Sequence, residues 1–264
     1  MMNNLLSPQN LKNFFNEIYF ILKSSNLELN EVWIKEREID FLQKISNHYS
    51  VKNFIQNFSF LKCESWNHIS IDKIHFILDT IGYIDKDIKN LAEILDFRGF
   101  ESLIGEILQK NGYKVIKNFR FSDKSDFKCQ TKQKRYEIDV IGLKNHFLLL
   151  IDGKQWRKKD SYSTLNKSAE KQFQRAVALN KNKYILSGLL EKLANLNTSF
   201  EKYLPIKVIP LMVTLEENDC KFSNIQVPLV SVYRLNSFLQ EYQLILNYLK
   251  YIEIKKLSFQ KKIL

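Results

Sequence analysis

The sequence contains little glycine and little proline, seven and four residues out of 264. Gly82 is the first glycine, and apart from Pro8 no proline precedes it. Because these two residue types are the strongest breakers of regular structure, their absence from residues 9–81 argues for long helices there. An apolar stripe at helical spacing supports this prediction and is formed by Leu11, Phe14, Phe15, Ile18 and Leu22. The sequence therefore predicts an all-helical N-terminal domain, residues 1–95, followed by a second domain, residues 96–264.

Cysteine is also scarce, and the three residues lie far apart in the sequence: Cys63, Cys129 and Cys220. An odd number at such spacing argues against a disulfide framework and for a reducing compartment. It suggests neither a zinc site nor a thiol nucleophile. No apolar stretch approaches the roughly 20 residues of a membrane span, and the start of the sequence lacks the pattern of a signal peptide. We therefore expect a cytoplasmic protein with no membrane partner.

Positive charge is abundant, with 40 lysine and arginine residues against 29 acidic residues, a net charge of +11 and a pI of about 9.3. A positive field of this kind suits a polyanion such as nucleic acid. An AT-rich genome also produces lysine-rich proteins, so composition alone leaves nucleic-acid binding open.

From residue 97 onward, helical and strand patterns alternate. "FESLIGEILQKNG" predicts a helix that stops at its Asn-Gly pair, and "YKVIKNFRF" predicts a strand. "KRYEIDVIG" and "HFLLLIDGK" predict a hairpin with its turn around "LKN". A helix over "SAEKQFQRAVALNKN", strands at "PIKVIPLMVTL" and "VPLVSVYRL", and a closing helix capped at Asn236 or Ser237 complete the pattern. This order predicts an α/β fold with a mixed β-sheet flanked by helices.

The two hairpin strands contain charged residues in otherwise apolar stretches. Asp152 and Lys154 share one face of the second strand, and the expected hairpin sets Asp139 almost opposite Leu149 or Leu150. Burying two neighbouring carboxylates is unfavourable unless a positive charge lies between them. A hard divalent cation would compensate Asp139 and Asp152 more completely than Lys154 does. For either carboxylate alone, an ordinary ion pair at a strand end is the alternative.

This spacing resembles a known nuclease signature. Asp139, then 12 residues, then Asp152-Gly153-Lys154 resembles the PD-(D/E)xK nuclease superfamily, which has the restriction-endonuclease-like fold. The preceding "FESLIGEILQKNGYKV" is similar to the helix and strand of Mrr-type restriction enzymes and archaeal Holliday-junction resolvases. The resemblance covers about residues 97–240.

Individual positions agree with the superfamily pattern to different degrees. Glu101 matches its helix glutamate, and Glu106 is a less favoured alternative because it faces about 140° away on the same helix. Ile138 stands where proline is common. Asp152 stands where glutamate is more usual, which shortens the reach to a metal ion but keeps an oxygen donor.

The resemblance implies a Mg²⁺-dependent deoxyribonuclease, with endonuclease action favoured and Mn²⁺ as a substitute ion. It implies that Asp139, Asp152, the backbone carbonyl of Gly153 and Glu101 bind the metal. Lys154 would orient or help deprotonate the attacking water, so that the catalytic set is Glu101, Asp139, Asp152 and Lys154. The alternative is a catalytically inactive nucleic-acid-binding protein on the same fold.

Residues around the carboxylates are further candidates. Glu137 is either a supporting residue beside the metal ligands or a rim charge paired with lysine or arginine, and Gln172 is either a supporting residue or a solvent-facing one. The basic stretch after the second strand predicts contacts with the DNA backbone by Arg157, Lys158, Lys159, Lys171 and Arg175. Trp156 would either stack on a base or sugar or anchor this loop to the core. A solvated charged face is the alternative for this stretch. The N-terminal domain would restrict the substrate or hold a partner, such as the second subunit of a homodimer.

Overall fold

The computed structural model of the chain describes residues 6–45, 48–84, 88–122, 135–155, 162–194, 200–217 and 221–257. The chain divides into two compact units, Met1–Phe100 and Glu101–Leu264. The boundary falls inside a helix, Phe97–Lys110. Among the helices in the described ranges, none combines the length and apolar character needed to cross a membrane.

The first unit combines helices with a small antiparallel sheet. The sheet has the order β1-β3-β2, with strands β1 (Glu31–Lys35), β2 (Leu61–Cys63) and β3 (His68–Asp72). The helices are α1 (Pro8–Ser24), α2 (Asp40–Gln43), α3 (His48–Ile55), α4 (Lys73–Ile84) and α5 (Ile88–Leu91). Phenylalanine side chains fill the core, where the ring centroids of Phe15 and Phe60 lie 5.4 Å apart.

The three-stranded sheet corrects one part of the N-terminal prediction. The region is helical, as expected, but it is not all-helical. Between β2 and β3 the chain reverses through Trp66 and Asn67, whose φ angles of 62° and 55° lie in the left-handed region. These residues make the reversal without glycine or proline, so the scarcity of breakers did not exclude a hairpin.

In "SIDKIHFILDTIG", Ser70 as a cap and Gly82 as a stop predict a helix, but the helix is displaced along the chain. Ser70 lies within β3, and α4 begins at Lys73. The carboxylate of Asp72 accepts a hydrogen bond from the backbone N–H of His75 at 2.8 Å, which is the capping contact expected of serine or aspartate. Gly82 lies inside α4 rather than after its end.

The second unit is built on a six-stranded mixed sheet with the order β4-β5-β6-β7-β8, in which β9 also pairs with β7. The strands are β4 (Lys114–Ser122), β5 (Arg135–Lys144), β6 (Phe147–Lys154), β7 (Ile206–Thr214), β8 (Leu229–Ser231) and β9 (Ile252–Ile254). The helices are α6 (Phe97–Lys110), α7 (Tyr162–Lys181), α8 (Lys183–Ala194) and α9 (Val232–Glu241). The predicted class, a mixed sheet flanked by helices, is confirmed.

Packing on β5 shows how helices cover both faces of this sheet. A Cβ at Gly142 would lie 3.2 Å from a methyl carbon of Leu108, so the glycine allows α6 to approach closely on one face. Ile141 and Leu143 point to the opposite face, where they join a buried cluster with Leu179 of α7. The two layers remove the middle of β5 from water, and Asp139 is buried with it.

The β5–β6 hairpin forms as predicted, but its register differs. Ile141 pairs with Leu150 and Val140 with Ile151, so the register continued by one residue sets Asp139 opposite Asp152. The prediction that Asp139 lies opposite Leu149 or Leu150 was wrong, because the turn lies at Asn145 and His146, slightly later than assumed. The actual register brings the two carboxylates closer than the sequence suggested.

The end of the second unit also departs from its prediction. The expected strand over "VPLVSVYRL" stops at Ser231, whose hydroxyl accepts from the backbone N–H of Arg234 and caps α9. Neither Asn236 nor Ser237 is therefore the cap. The expected closing helix ends at Glu241, and the chain continues as a 3₁₀ segment, Tyr242–Tyr248, and then as β9.

Candidate active site

Asp139 of β5 and Asp152 of β6 form the centre of the candidate site. Asp139 is only 7% exposed to solvent and Asp152 only 2%. The backbone N–H of Gly153 donates to Oδ2 of Asp139 at 2.9 Å, which ties the Asp139 carboxylate to the neighbouring strand. Two carboxylates are thus held side by side in a protein interior, where each needs compensation.

Two cations flank Asp152. Nζ of Lys154 lies 2.8 Å from its Oδ2, and Nη1 of Arg175 lies 2.6 Å from its Oδ1. Lys154 reaches the carboxylate from the same strand, whereas Arg175 reaches it from α7. The lysine predicted to join the site is therefore present beside Asp152, together with an arginine that had been predicted to contact DNA.

Gln172 supports this arrangement from α7. Its side chain is fully buried, so the solvent-facing alternative is wrong for this residue. Its Nε2 donates to the backbone carbonyl of Leu150 at 2.8 Å, and its Oε1 accepts from Nη1 of Arg175 at 2.8 Å. Gln172 and Arg175 are three residues apart on one helix, which is a spacing that places side chains on the same face. This spacing is the signal from which their joint role could have been inferred.

Glu101 of α6 is the third buried acid, with 3% exposure. Burial and, to a smaller degree, the negative charges of Asp139, Glu137 and Asp152 together raise the pKa of Glu101 to about 7, while Lys154 acts in the opposite direction. Glu101 therefore lies within electrostatic reach of the Asp139–Asp152 centre.

Asp139 has a raised pKa for a similar reason. Burial and the neighbouring charge of Asp152 raise the pKa of Asp139 to about 6, although the Gly153 N–H and the cations of Lys154 and Arg175 favour its charged form. The two cations beside Asp152 therefore leave negative charge at Asp139 and Glu101 uncompensated. A cation bound between these acids would remove that penalty.

The donor set is chemically suited to Mg²⁺. Asp139, Asp152, Glu101 and the carbonyl of Gly153 offer oxygen ligands, which hard divalent cations prefer. In the described part of the chain, no group of three or more His, Cys, Asp and Glu side chains is arranged to hold a metal ion. A Mg²⁺ ion on this donor set would leave several positions for water and for substrate phosphate, as Mg²⁺ sites commonly do.

Glu137 lies outside the Asp139–Asp152 pair. Oε1 of Glu137 accepts from Nε and Nη2 of Arg120 at 3.0 and 2.9 Å, in a pair at the solvent boundary with side-chain exposures of 44% and 74%. This geometry matches the rim-charge alternative. Lys171 is exposed on α7. Four predicted nucleic-acid contacts lie outside the described residues: Trp156, Arg157, Lys158 and Lys159.

The raised pKa values predict how stability depends on pH without divalent cations. Folding raises the pKa of Asp139 from 3.8 to about 6 and that of Glu101 from 4.5 to about 7. Between the unfolded and folded values the native chain binds more protons than the unfolded chain, so the stability from these groups falls as pH rises from about 4 to about 8. The free energy of unfolding of Glu101→Gln should therefore exceed that of the wild type by about 1–3 kcal/mol at pH 8, and by a smaller amount at pH 5.

Urea unfolding in EDTA at both pH values measures this difference. Glu191→Gln, at an exposed position of α8, is the matched control and should show no pH-dependent gain. A Glu101→Gln variant whose stability relative to the wild type is the same at pH 5 and pH 8 would contradict the prediction.

The fold and this cluster are consistent with a nuclease-like α/β domain, in which acids and a lysine on adjacent strands lie within electrostatic reach of a helix acid. Comparison with known families agrees: residues 98–214 match the nuclease-related domain family, NERD. This segment contains α6, the β5–β6 hairpin, α7 and β7 and covers less than half of the chain. The match supports a restriction-endonuclease-like domain with a nuclease-related function, and it does not single out Mrr-type enzymes or resolvases.

Other comparisons add little. The crystal structure of protein VC1899 from Vibrio cholerae aligns with 93% of this chain and 54% of that chain, at 12% identity and a TM-score of 0.30. The chain thus spans about half the length of that protein, and a likeness of this degree supports no argument about function. No curated protein matches the chain.

Proposed function

We propose that the protein is a metal-dependent nuclease that hydrolyses phosphodiester bonds of DNA, acting as an endonuclease. The observation that supports this most directly is the placement of Asp139 and Asp152 on adjacent strands, with Lys154 2.8 Å from Asp152 and Glu101 within electrostatic reach. Buried acids with raised pKa values in such an arrangement are more typical of a reaction site than of a structural ion pair. The nuclease-related match over residues 98–214 agrees with this function.

The chemistry assigns a separate task to each residue. Asp139, Asp152, Glu101 and the Gly153 carbonyl would hold Mg²⁺, which when bound supplies charge neutralisation at the phosphate and a more acidic water. Lys154 holds a positive charge beside Asp152, where it can orient the attacking water and stabilise the charge that develops on the phosphoryl oxygens. Because burial raises the pKa of Glu101 to about 7, this residue can accept or release a proton near neutral pH.

A specific observation also favours the second candidate, a nucleic-acid-binding protein without activity. Both oxygens of Asp152 already contact cations, Lys154 and Arg175, which would compensate a carboxylate that no longer binds metal. The two candidates differ in one measurable respect, since only the nuclease requires a divalent cation for a chemical product.

A cleavage assay separates the candidates. Linear, closed circular, single-stranded and branched DNA, and RNA, are incubated with the full chain in Mg²⁺, Mn²⁺ or EDTA, with Asp139→Asn as the matched inactive variant. Linearisation or nicking of closed circles that requires Mg²⁺ or Mn²⁺ and is lost in the variant would support an endonuclease. Binding without cleavage on all substrates would support the second candidate.

The basic stretch leads to a binding prediction. Replacing Arg157, Lys158 and Lys159 together by alanine should weaken DNA binding in EDTA and reduce its salt dependence by up to about three units of slope, at roughly 0.9 per phosphate contact. Fluorescence anisotropy from about 50 to 200 mM salt measures the slope. A variant with the slope of the wild type would assign these residues to a solvated face instead.

A further inference from the structure

Arg175 occupies an unusual position for a residue of a basic stretch. Its side chain is 23% exposed, and its Nη1 lies 2.6 Å from Oδ1 of Asp152. By contrast, Lys171, one turn earlier on the same helix, is exposed. The guanidinium therefore points toward Asp152 and not toward the solvent-exposed surface, where a nucleic-acid backbone would bind.

Arg175 is itself held in place by a buried side chain. Nη1 of Arg175 donates to Oε1 of Gln172 at 2.8 Å, and Nε2 of Gln172 donates to the carbonyl of Leu150 at 2.8 Å. Leu150 lies two residues before Asp152 on the same strand. These contacts therefore start and end on β6. They link the backbone of this strand, at Leu150, to the side chain of Asp152 and so fix the orientation of that carboxylate.

Arginine is well suited to fixing the orientation of a carboxylate. An arginine remains charged at all accessible pH values and presents donors from a rigid planar group, so it fixes a carboxylate more firmly than a flexible lysine does. Lys154 contacts the other oxygen of Asp152, at 2.8 Å. Arg175 would thus hold one oxygen of Asp152 through a side chain that Gln172 anchors to β6.

We infer that Arg175 is a positioning residue, which sets the orientation of Asp152 through the Leu150–Gln172–Arg175 contacts and does not bind nucleic-acid phosphate. The inference rests on the proposed function for its catalytic consequence, but the contacts themselves can be tested without it. If correct, it would replace the predicted contact of Arg175 with DNA.

The experiment compares Arg175→Ala and Arg175→Lys with Lys171→Ala, which removes one positive charge from the same helix, and with Lys192→Ala, at an exposed position of α8. Arg175→Ala should lower kcat by about 10²-fold with little change in KM, since a misplacement of about 1 Å at a reacting centre has an effect of this size. Arg175→Lys should recover part of that loss. In EDTA, Arg175→Ala should keep the salt slope of DNA binding, whereas a lost phosphate contact lowers it by about 0.9.

A second measurement does not depend on cleavage. NMR of the arginine side chains should show slowly exchanging Arg175 guanidinium protons in the wild type, and Gln172→Leu and Asp152→Asn should each abolish this protection while thermal melts remain cooperative. If the wild type cuts no nucleic acid, the proposed function fails, and the NMR result alone decides the positioning role. Unprotected guanidinium protons, or an Arg175→Ala variant with reduced salt slope and unchanged kcat, would overturn the inference.

Discussion

Asp139→Asn and Asp152→Asn are each expected to lower metal-dependent cleavage by about 10³-fold or more, because each removes a negative oxygen ligand from the proposed metal site. If the protein binds DNA mainly through basic residues elsewhere, as proposed, DNA affinity should remain within a few fold of the wild type. Single-turnover cleavage and anisotropy on the same oligonucleotide measure the two quantities.

The Asp139 variant should also fold well, which makes its loss of activity informative. Burial and the charge of Asp152 raise the pKa of Asp139 to about 6, so a neutral asparagine removes repulsion rather than a stabilising charge. Glu191→Gln, a neutralised acid at an exposed position of the same unit, serves as the control for activity and stability. Cleavage at the wild-type rate by either site variant, in protein that melts cooperatively, would refute the assignment.

The β5–β6 hairpin was predictable from the sequence because apolar alternation and a short turn are local features. Its register was not, because a turn one residue later changes every cross-strand partner. Asp139 consequently faces Asp152 instead of Leu149 or Leu150. The chemical argument, that two buried carboxylates need a shared positive charge, indicated that Asp139 and Asp152 lie together. The assumed position of the turn placed them farther apart than they are.

Features that depend on tertiary packing could not be predicted in the same way. The sequence places Gln172 and Arg175 on a helix, but whether that helix turns them toward Asp152 or toward solvent depends on how α7 packs on the sheet. The three-stranded sheet was missed for another reason. Its strands are short, and its reversal uses Trp66 and Asn67 at positive φ, which few residues other than glycine adopt.

Lys154 provides the second large prediction. Lys154→Met keeps most of the aliphatic side chain and removes the charge 2.8 Å from Oδ2 of Asp152. We expect kcat to fall by about 10²–10⁴-fold, because the ammonium acts on the attacking water and on charge that develops only in the transition state. Asp152 keeps Arg175 at 2.6 Å, so the carboxylate does not become an unpaired buried charge and the fold should persist.

Mg²⁺ affinity separates this role from a structural one. Lys154 is not a metal ligand in the proposed site, and its removal takes away a cation that competes for Oδ2 of Asp152. Calorimetric titration of the variant with Mg²⁺ should therefore give an affinity equal to or greater than that of the wild type, even though cleavage is lost. Lys192→Met, which removes an exposed charge of the same type from α8, should change neither quantity. Weaker Mg²⁺ binding in Lys154→Met would instead mean that Lys154 maintains the geometry of the metal ligands, and its assignment to the chemical step would then be wrong.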